Sequence, residues 1–522
     1  MKKDSNNIPV FIDLLHYMWY PTNNYTIFIR RKYMNYSELI VFIVYLVFML
    51  GIGVFFFIKI RSGGEKDYFL GGRQMGPWVS ALSAGASDMS AWVLMGLPAS
   101  VYAFGLGKTW IAIGLLIGYA LSWIFIAPRL RKFSIVSNDS ITIPQYLSNR
   151  FLTTSSTLRV ICAVIFIFAY TIYSASSIKA CGTLFNTVIG IDAKVAMYIA
   201  AAIILVYTFL GGFNAVCWTD FFQGMLMLGA LLIAPIFALA FVNAGKGAEI
   251  VAYPANYFNL LSSGKFDWNS IADIISGMGW GLGYFGMPHI IVRFMAIKTQ
   301  KDVKKSGIIG VSWTTIILTF SVIAAIVGRS FLGEISDSST VFIQMVRTIF
   351  PGVISGILLS AILAAAMSTA DSQLLASASA FASDVYKPIF RKKASDNEML
   401  WAGRIVVAII TVVAVAIASN PNSGTIMGLV ENAWGVFGAA FGPVILLSLF
   451  WKKLTLEGTI TGIVAGALVD ILWLAFLAST GVYEIVPGFI CGLVAAVVVS
   501  LAGKKNSKEV DELFERGVNF RD

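Results

Sequence analysis

Charged side chains are scarce in this chain: Asp, Glu, Lys and Arg make up 13% of 522 residues, about half their share in an ordinary soluble domain. That deficit excludes a water-soluble globular protein. Cysteine and histidine are scarce as well. Cys162, Cys181, Cys217 and Cys491 lie in or beside apolar segments without CxxC spacing, and His16 and His289 stand far apart, so the pattern holds no disulfide framework, zinc site or haem attachment. No GxxxxGK[ST] loop is present, which removes the P-loop route to ATP-driven work. The apolar segments also lack strict alternation, and an open sheet in lipid would leave backbone groups unpaired, so spanning strands are excluded.

What the sequence has in abundance is apolar length. Hydrophobic residues make up 57% of the chain and its mean hydropathy is +0.79. Runs of about 20 apolar residues, the length of one crossing, recur thirteen times, near 38–60, 77–103, 109–128, 160–187, 193–212, 220–243, 271–296, 307–329, 351–378, 402–419, 425–450, 457–479 and 484–503. They are numbered here as spans 1 to 13. The expected fold class is an all-α integral membrane protein of about 13 transmembrane helices, residues 34–503, with residues 504–522 as a tail.

The formal charge of +10 reads as topology and not as a nucleic-acid surface. Connections after spans 1, 3, 7, 9 and 11 and the C-terminal tail carry nearly all the basic residues, in clusters such as Lys301, Lys304 and Lys305 or Arg391, Lys392 and Lys393. The opposite connections hold Lys108, Lys194, Lys246, Lys265, Arg329 and Arg347. The rule that cytoplasmic loops keep Lys and Arg places the N-terminus outside and the C-terminus in the cytoplasm. Lys2, Lys3, Arg30, Arg31 and Lys32 point the other way, and residues 1–33 lack the apolar core of a secretory signal. They read as a dispensable N-terminal extension or an upstream start before Met34.

Two spans are interrupted. In span 7 the stretch SGMGWGLGYFGMP holds Gly277, Gly279, Gly281, Gly283, Gly286 and Pro288; at about 1 kcal/mol per glycine and about 3 for proline, a continuous helix is penalised by several kcal/mol. The same glycines also suit close helix packing, although five in ten residues exceed what one packing face needs. Span 2 carries Gly85, Ser83, Ser87, Asp88, Ser90 and Pro98. An ionised carboxylate at mid-membrane costs about 2.5–3.5 kcal/mol even on the lenient insertion scale, so Asp88 either belongs to a cation site or caps the broken helix. If spans 2 and 7 open successive five-helix units, about 77–243 and 271–450, the odd helix count inverts the second unit, the plan of secondary transporters with a mid-membrane site. In span 9, Ser368 and Thr369 offer adjacent hydroxyls, either bonded back to their own helix or available to a hard cation such as sodium.

These segments resemble the sodium:solute symporter family, and within it the proline branch. The resemblance runs from about Met34 to the tail and rests on YFLGGRQMGPWVSALSAGASDMSAW (68–92), ITIPQYLSNRF (141–151), YTFLGGFNAVCWTD (207–220), MGWGLGYFGMPHIIVRFMA (278–296), GILLSAILAAAMST (356–369) and FGAAFGPVILLSLFW (437–451). It implies thirteen helices, a leucine-transporter-like core of two inverted five-helix repeats, and sodium-coupled import of L-proline across the lipid bilayer, with Na+ as coupling ion, no organic cofactor, no enzymatic activity and no obligate protein partner. Sodium would be bound by the carbonyls of Ala86, Met89 and Ala365 and the hydroxyls of Ser368 and Thr369, with Asp88 as the key acid and Ser90 nearby. Proline would meet Tyr173, Trp280, Tyr284 and Pro288. Another amino acid or a compatible solute is the alternative cargo; a membrane sensor is disfavoured by a tail too short for an output domain. The chain departs from the family pattern at Ala91, where glycine is usual, Met287, where glutamine is usual, and Asp371, where serine is usual. Asp371 adds a second acid near the proposed ion site, and Asp470 in span 12 lies outside the pattern.

Overall fold

The computed structural model describes residues 35–59, 65–210 and 212–521; the expected extension 1–33 lies outside the described residues. The protein is an all-helical, multi-pass membrane bundle with no strand among the described residues beyond an isolated bridge between Met75 and Ile297. Among the described residues ten helices are long and apolar enough to cross a membrane, whereas the sequence suggests thirteen crossings. The remaining three expected spans are helix Ala193–Leu210 and the two interrupted ones. Span 2 is divided into Pro77–Asp88, a turn at Ala91–Val93, and Gly96–Phe104, and span 7 into Trp268–Gly279, a tightened turn at Trp280–Phe285, and Pro288–Ala296.

The order of elements repeats along the chain. A broken helix (77–104) is followed by a long helix (106–136), a short one (Ile143–Arg150) and a very long one (Thr157–Ile189); another broken helix (268–296) is followed by Gln300–Leu332, the short Val341–Ile349 and Gly352–Phe381. Each half then closes with two more helices, Ala193–Leu210 and Phe213–Asn243 in the first, Asp396–Ser419 and Ile426–Phe450 in the second. Helices Leu456–Phe476 and Ile485–Ala502 follow, and the amphipathic Lys508–Asn519 lies against the bundle end. Its Val510, Leu513 and Phe514 are buried, Phe514 meets Phe133 with ring centroids 5.4 Å apart, and the Arg150 guanidinium stands 4.8 Å from the Phe514 ring.

Several helices reach further than their apolar runs suggest. Span 3 continues to Val136, so Arg131, expected in a connection, is buried at the helix end and donates to the carbonyls of Ile297 (2.7 Å) and Lys298 (2.6 Å). Span 6 begins at Phe213 instead of 220, which carries Asp220 from the expected edge into the packed interior. In both cases polar partners supplied by neighbouring segments accompany the extension of the helix past its hydrophobic run.

All five glycines of span 7 have packing partners, on two faces. A Cβ at Gly277 or Gly281 would meet span 3 backbone or the base of Trp110, and one at Gly279, Gly283 or Gly286 would meet Val486, Trp434 or the backbone of Gly442. The contact between spans 3 and 7 is nearly backbone on backbone: a Cβ at Gly118 would stand 2.2 Å from the Gly281 carbonyl oxygen. In lipid, where apolar surface gains little by leaving the hydrocarbon, such close packing holds helices together. Gly118→Ala is therefore expected to destabilise the protein by about 1–3 kcal/mol, measured as a fall in thermal midpoint in detergent. Gly51→Ala, in open space, should stay near wild type.

Candidate substrate and cation site

The break in span 2 exposes backbone at mid-bundle. Helix Pro77–Asp88 ends with Met89 at φ −76°, ψ 72°, and Ser90 is extended. Ser90 Oγ accepts from the Trp92 amide (3.4 Å), so Ser90 caps the following turn. The Asp88 carboxyl makes no bond to a backbone amide. One of its oxygens accepts from the Tyr284 hydroxyl in the break of span 7, and the other, fully buried, has no hydrogen-bond partner. Its carbonyl receives the Trp92 indole (3.2 Å) and the Tyr173 hydroxyl (3.4 Å). The two broken helices thus touch at their breaks, through a carboxyl with unused acceptor capacity.

Behind this contact lies span 9. Ser368 Oγ stands 2.8 Å from the Ala86 carbonyl and 3.2 Å from that of Ala365, bringing three of the sequence-predicted sodium ligands together. Ser360 shows the ordinary behaviour of a membrane serine, donating to its own helix at Gly356 (2.8 Å). Thr369 does not: its Oγ1 is buried and makes no hydrogen bond. A group of carbonyl and hydroxyl oxygens with an unsatisfied member suits a hard monovalent cation, which prefers oxygen ligands.

The aromatic residues assemble on the other side of the break. Tyr284 meets Tyr119 and Trp434 edge to face, both at 5.1 Å. Trp280 lies over Trp434 at 6.3 Å, and its carbonyl accepts from the Trp434 indole at 2.8 Å. Trp92 and Tyr483 complete the ring of neighbours at 6.5 and 5.2 Å. Pro288 opens the second half of span 7, where its missing N–H costs no helical bond. Next to it, His289 Nε2 is 3.1 Å from the Ser87 carbonyl, which can only accept, so Nε2 carries the proton and Nδ1 accepts from the Tyr170 hydroxyl at 3.2 Å.

Below the site is a charged group that the sequence reading missed. Arg293, 2% exposed, donates to Asp220 (3.1 Å), Ser83 (2.9 Å), Ser372 (2.6 Å) and the His289 carbonyl, while Ser83 Oγ donates to Asp220 at 2.6 Å. Four spans are joined there: 2, 6, 7 and 9. Asp371 connects to the group through Ser372, whose hydroxyl lies 3.4 Å from Asp371 Oδ1. A signal for Arg293 existed, since of the 38 Lys and Arg residues only Lys179 and Arg293 lie three or more residues in from the end of a span. Trp92, Trp434 and Tyr483 carried no comparable mark. Asp470, which had no account in sequence, is buried in a notch of span 11, where a Cβ on Gly435 would stand 2.7 Å from its Oδ1.

Two broken helices meeting over buried oxygens form the core expected of a leucine-transporter-like fold. The chain belongs to the sodium:solute symporter family, whose model matches residues 68–466. It is 43% identical over 481 residues to the osmoregulated proline transporter OpuE of Bacillus subtilis, covering 90% of this chain and 96% of that protein. The high-affinity proline transporter PutP of the same organism is 42% identical, with 89% and 98% covered. A sodium/proline symporter of Staphylococcus aureus is 41% identical, with 90% and 94% covered. Among solved structures, a substrate-bound, outward-open Na+-coupled sialic acid symporter matches with a TM-score of 0.75 at 20% identity, over 91% of this chain and 99% of that one. The nucleobase-cation-symport-1 family transporter Mhp1, in a closed conformation with bromovinylhydantoin bound, matches with a TM-score of 0.52 at 14% identity, over 86% and 97%. These two likenesses concern the fold.

Proposed function

We propose that this protein is a sodium-coupled secondary importer of L-proline. The observation that carries the coupling is Ser368 of span 9 set on the carbonyls of Ala86, at the break of span 2, and Ala365, with two buried oxygens lacking partners on the adjoining residues, the Thr369 hydroxyl and one oxygen of Asp88. With the Met89 carbonyl these would receive Na+, Asp88 supplying the negative charge and Ser90 holding the turn. The solute is supported by the names of relatives 41–43% identical over about nine-tenths of the chain. Proline would lie between Tyr173, Trp280, Tyr284 and Pro288, its ring on aromatic faces and its ammonium over Trp280.

Coupling requires only that sodium bind the outward-open state better than the others and that proline bind better once it is there. Both sites touch the same breaks, so a cation bracing spans 2 and 9 also orders the Asp88–Tyr284 contact beside the solute. One sodium crossing about 100 mV releases roughly 2.3 kcal/mol, which sustains about a fifty-fold solute gradient before any sodium gradient is added. The transporter unit is residues 34–503, with repeats 77–243 and 271–450, and the C-terminal tail is cytoplasmic. That orientation is supported by the gathering of Arg73, Arg129, Arg131, Lys452 and the C-terminal helix at one end of the bundle.

The test is uptake of labelled L-proline into proteoliposomes, with and without an inward sodium gradient, against a panel of unlabelled solutes. Accumulation that needs sodium and is competed best by L-proline is the expected result. Sodium-dependent uptake of another solute without proline transport would overturn the choice of cargo.

A further inference from the structure

Trp280 is held by a segment outside the two five-helix units. The connection between spans 12 and 13 turns back over the bundle through Ala478–Thr480 and Gly481, whose φ of +75° is one that favours glycine. Its shape is fixed at several points. The Trp473 indole donates to the Val482 carbonyl (3.0 Å), the Trp268 indole to that of Thr480 (3.0 Å), and Ser276 Oγ to that of Gly481 (3.0 Å). From this brace Tyr483 projects inward and is buried. Its amide donates to Ser276 Oγ (3.0 Å), its hydroxyl donates to the Glu431 carbonyl of span 11 (2.7 Å), and its ring lies 5.2 Å from that of Trp280. A Cβ at Gly279, beside Trp280, would stand 2.5 Å from Val486, so the backbone there is seated directly on the start of span 13.

The indole of Trp280 therefore has neighbours from both repeats, Trp92 and Trp434, and from neither, Tyr483. We propose that Tyr483 is a positioning residue for the solute site: anchored to spans 7 and 11, it fixes the Trp280 ring, so that the connection between spans 12 and 13 sets solute affinity from outside the core repeats. This rests on the reading of Trp280 as part of the solute wall.

The experiment compares Tyr483→Ala, Tyr483→Phe, Trp280→Ala and the double variant Tyr483→Ala/Trp280→Ala in sodium-driven L-proline uptake. Aromatic pairs of this kind correspond to about a three- to ten-fold change in affinity, so Tyr483→Ala is expected to raise the apparent KM for proline by that factor. The maximal rate and the half-saturating sodium concentration should change less than about two-fold on the same scale. Tyr483→Phe, which keeps the ring, should restore most of the affinity, and the double variant should be no worse than Trp280→Ala alone. A merely structural role predicts a lower maximal rate and lower thermal stability with KM unchanged, and that result overturns the proposal. So does a double variant whose losses multiply. If Trp280→Ala leaves proline affinity unchanged while Tyr483→Ala weakens it, the reading of Trp280 fails and the proposed route through it falls too. Should Tyr483→Ala fail to insert, Tyr483→Leu, which keeps bulk but no aromatic face, carries the same expectations.

Discussion

Asp88→Asn is expected to raise the sodium concentration for half-maximal uptake by about ten- to a hundred-fold, the range set by losing one charge-assisted contact of about 1.5–3 kcal/mol in a buried site. The substitution preserves shape, and the Asn carbonyl oxygen can still accept from the Tyr284 hydroxyl. What disappears is the negative charge, and with it the partner-free buried oxygen that a cation would satisfy. Asp88→Cys should behave similarly, because the thiol replaces an oxygen donor with a poorer ligand for a hard ion. Membrane insertion should be unaffected. Sodium titrations of proline uptake check the shift; half-saturation at the wild-type concentration in both variants would reduce Asp88 to a structural partner of Tyr284.

The second large effect is expected at Arg293, where Arg293→Gln should deplete folded, transport-competent protein. The guanidinium makes hydrogen bonds into spans 2, 6 and 9 and back to its own helix. Its removal leaves the Asp220 carboxylate, fully buried, with the Ser83 hydroxyl. Breaking a buried pair from one side costs about 3–5 kcal/mol, a factor of a few hundred to a few thousand in the equilibrium between folded and unfolded forms. The unpaired charge is the cause, so Arg293→Gln combined with Asp220→Asn should recover much of the lost thermal midpoint. A double variant as unstable as the single one would show that the network stabilises through geometry instead of charge pairing.

Much of the site is legible in sequence because the membrane penalises it there. Asp88 stands out because a carboxylate in an apolar run needs a reason, and the glycines and Pro288 because they oppose a helix of that length. Ser368 and Thr369 carry weaker signals, and their separation appears only in space: Ser368 reaches across to Ala86, while Thr369 is left without a bond. Asp220 was hidden by a boundary, since the apolar run of span 6 starts at it although the helix starts at Phe213. The glycines of span 7 illustrate the converse. Their number argues for a break and exceeds what one packing face needs, and the structure gives each of them a neighbour on one of two faces.

By itself the sequence determined the membrane bundle, the position of its two interruptions and the depth of Asp88, because each follows from local composition measured against lipid. Only the tertiary structure decided who meets whom: Tyr284 with Asp88, Arg293 with Asp220, and Tyr483 and Trp434 with Trp280. Those pairs join residues far apart in the chain, and what selects them is the close packing of helices, which no local period records.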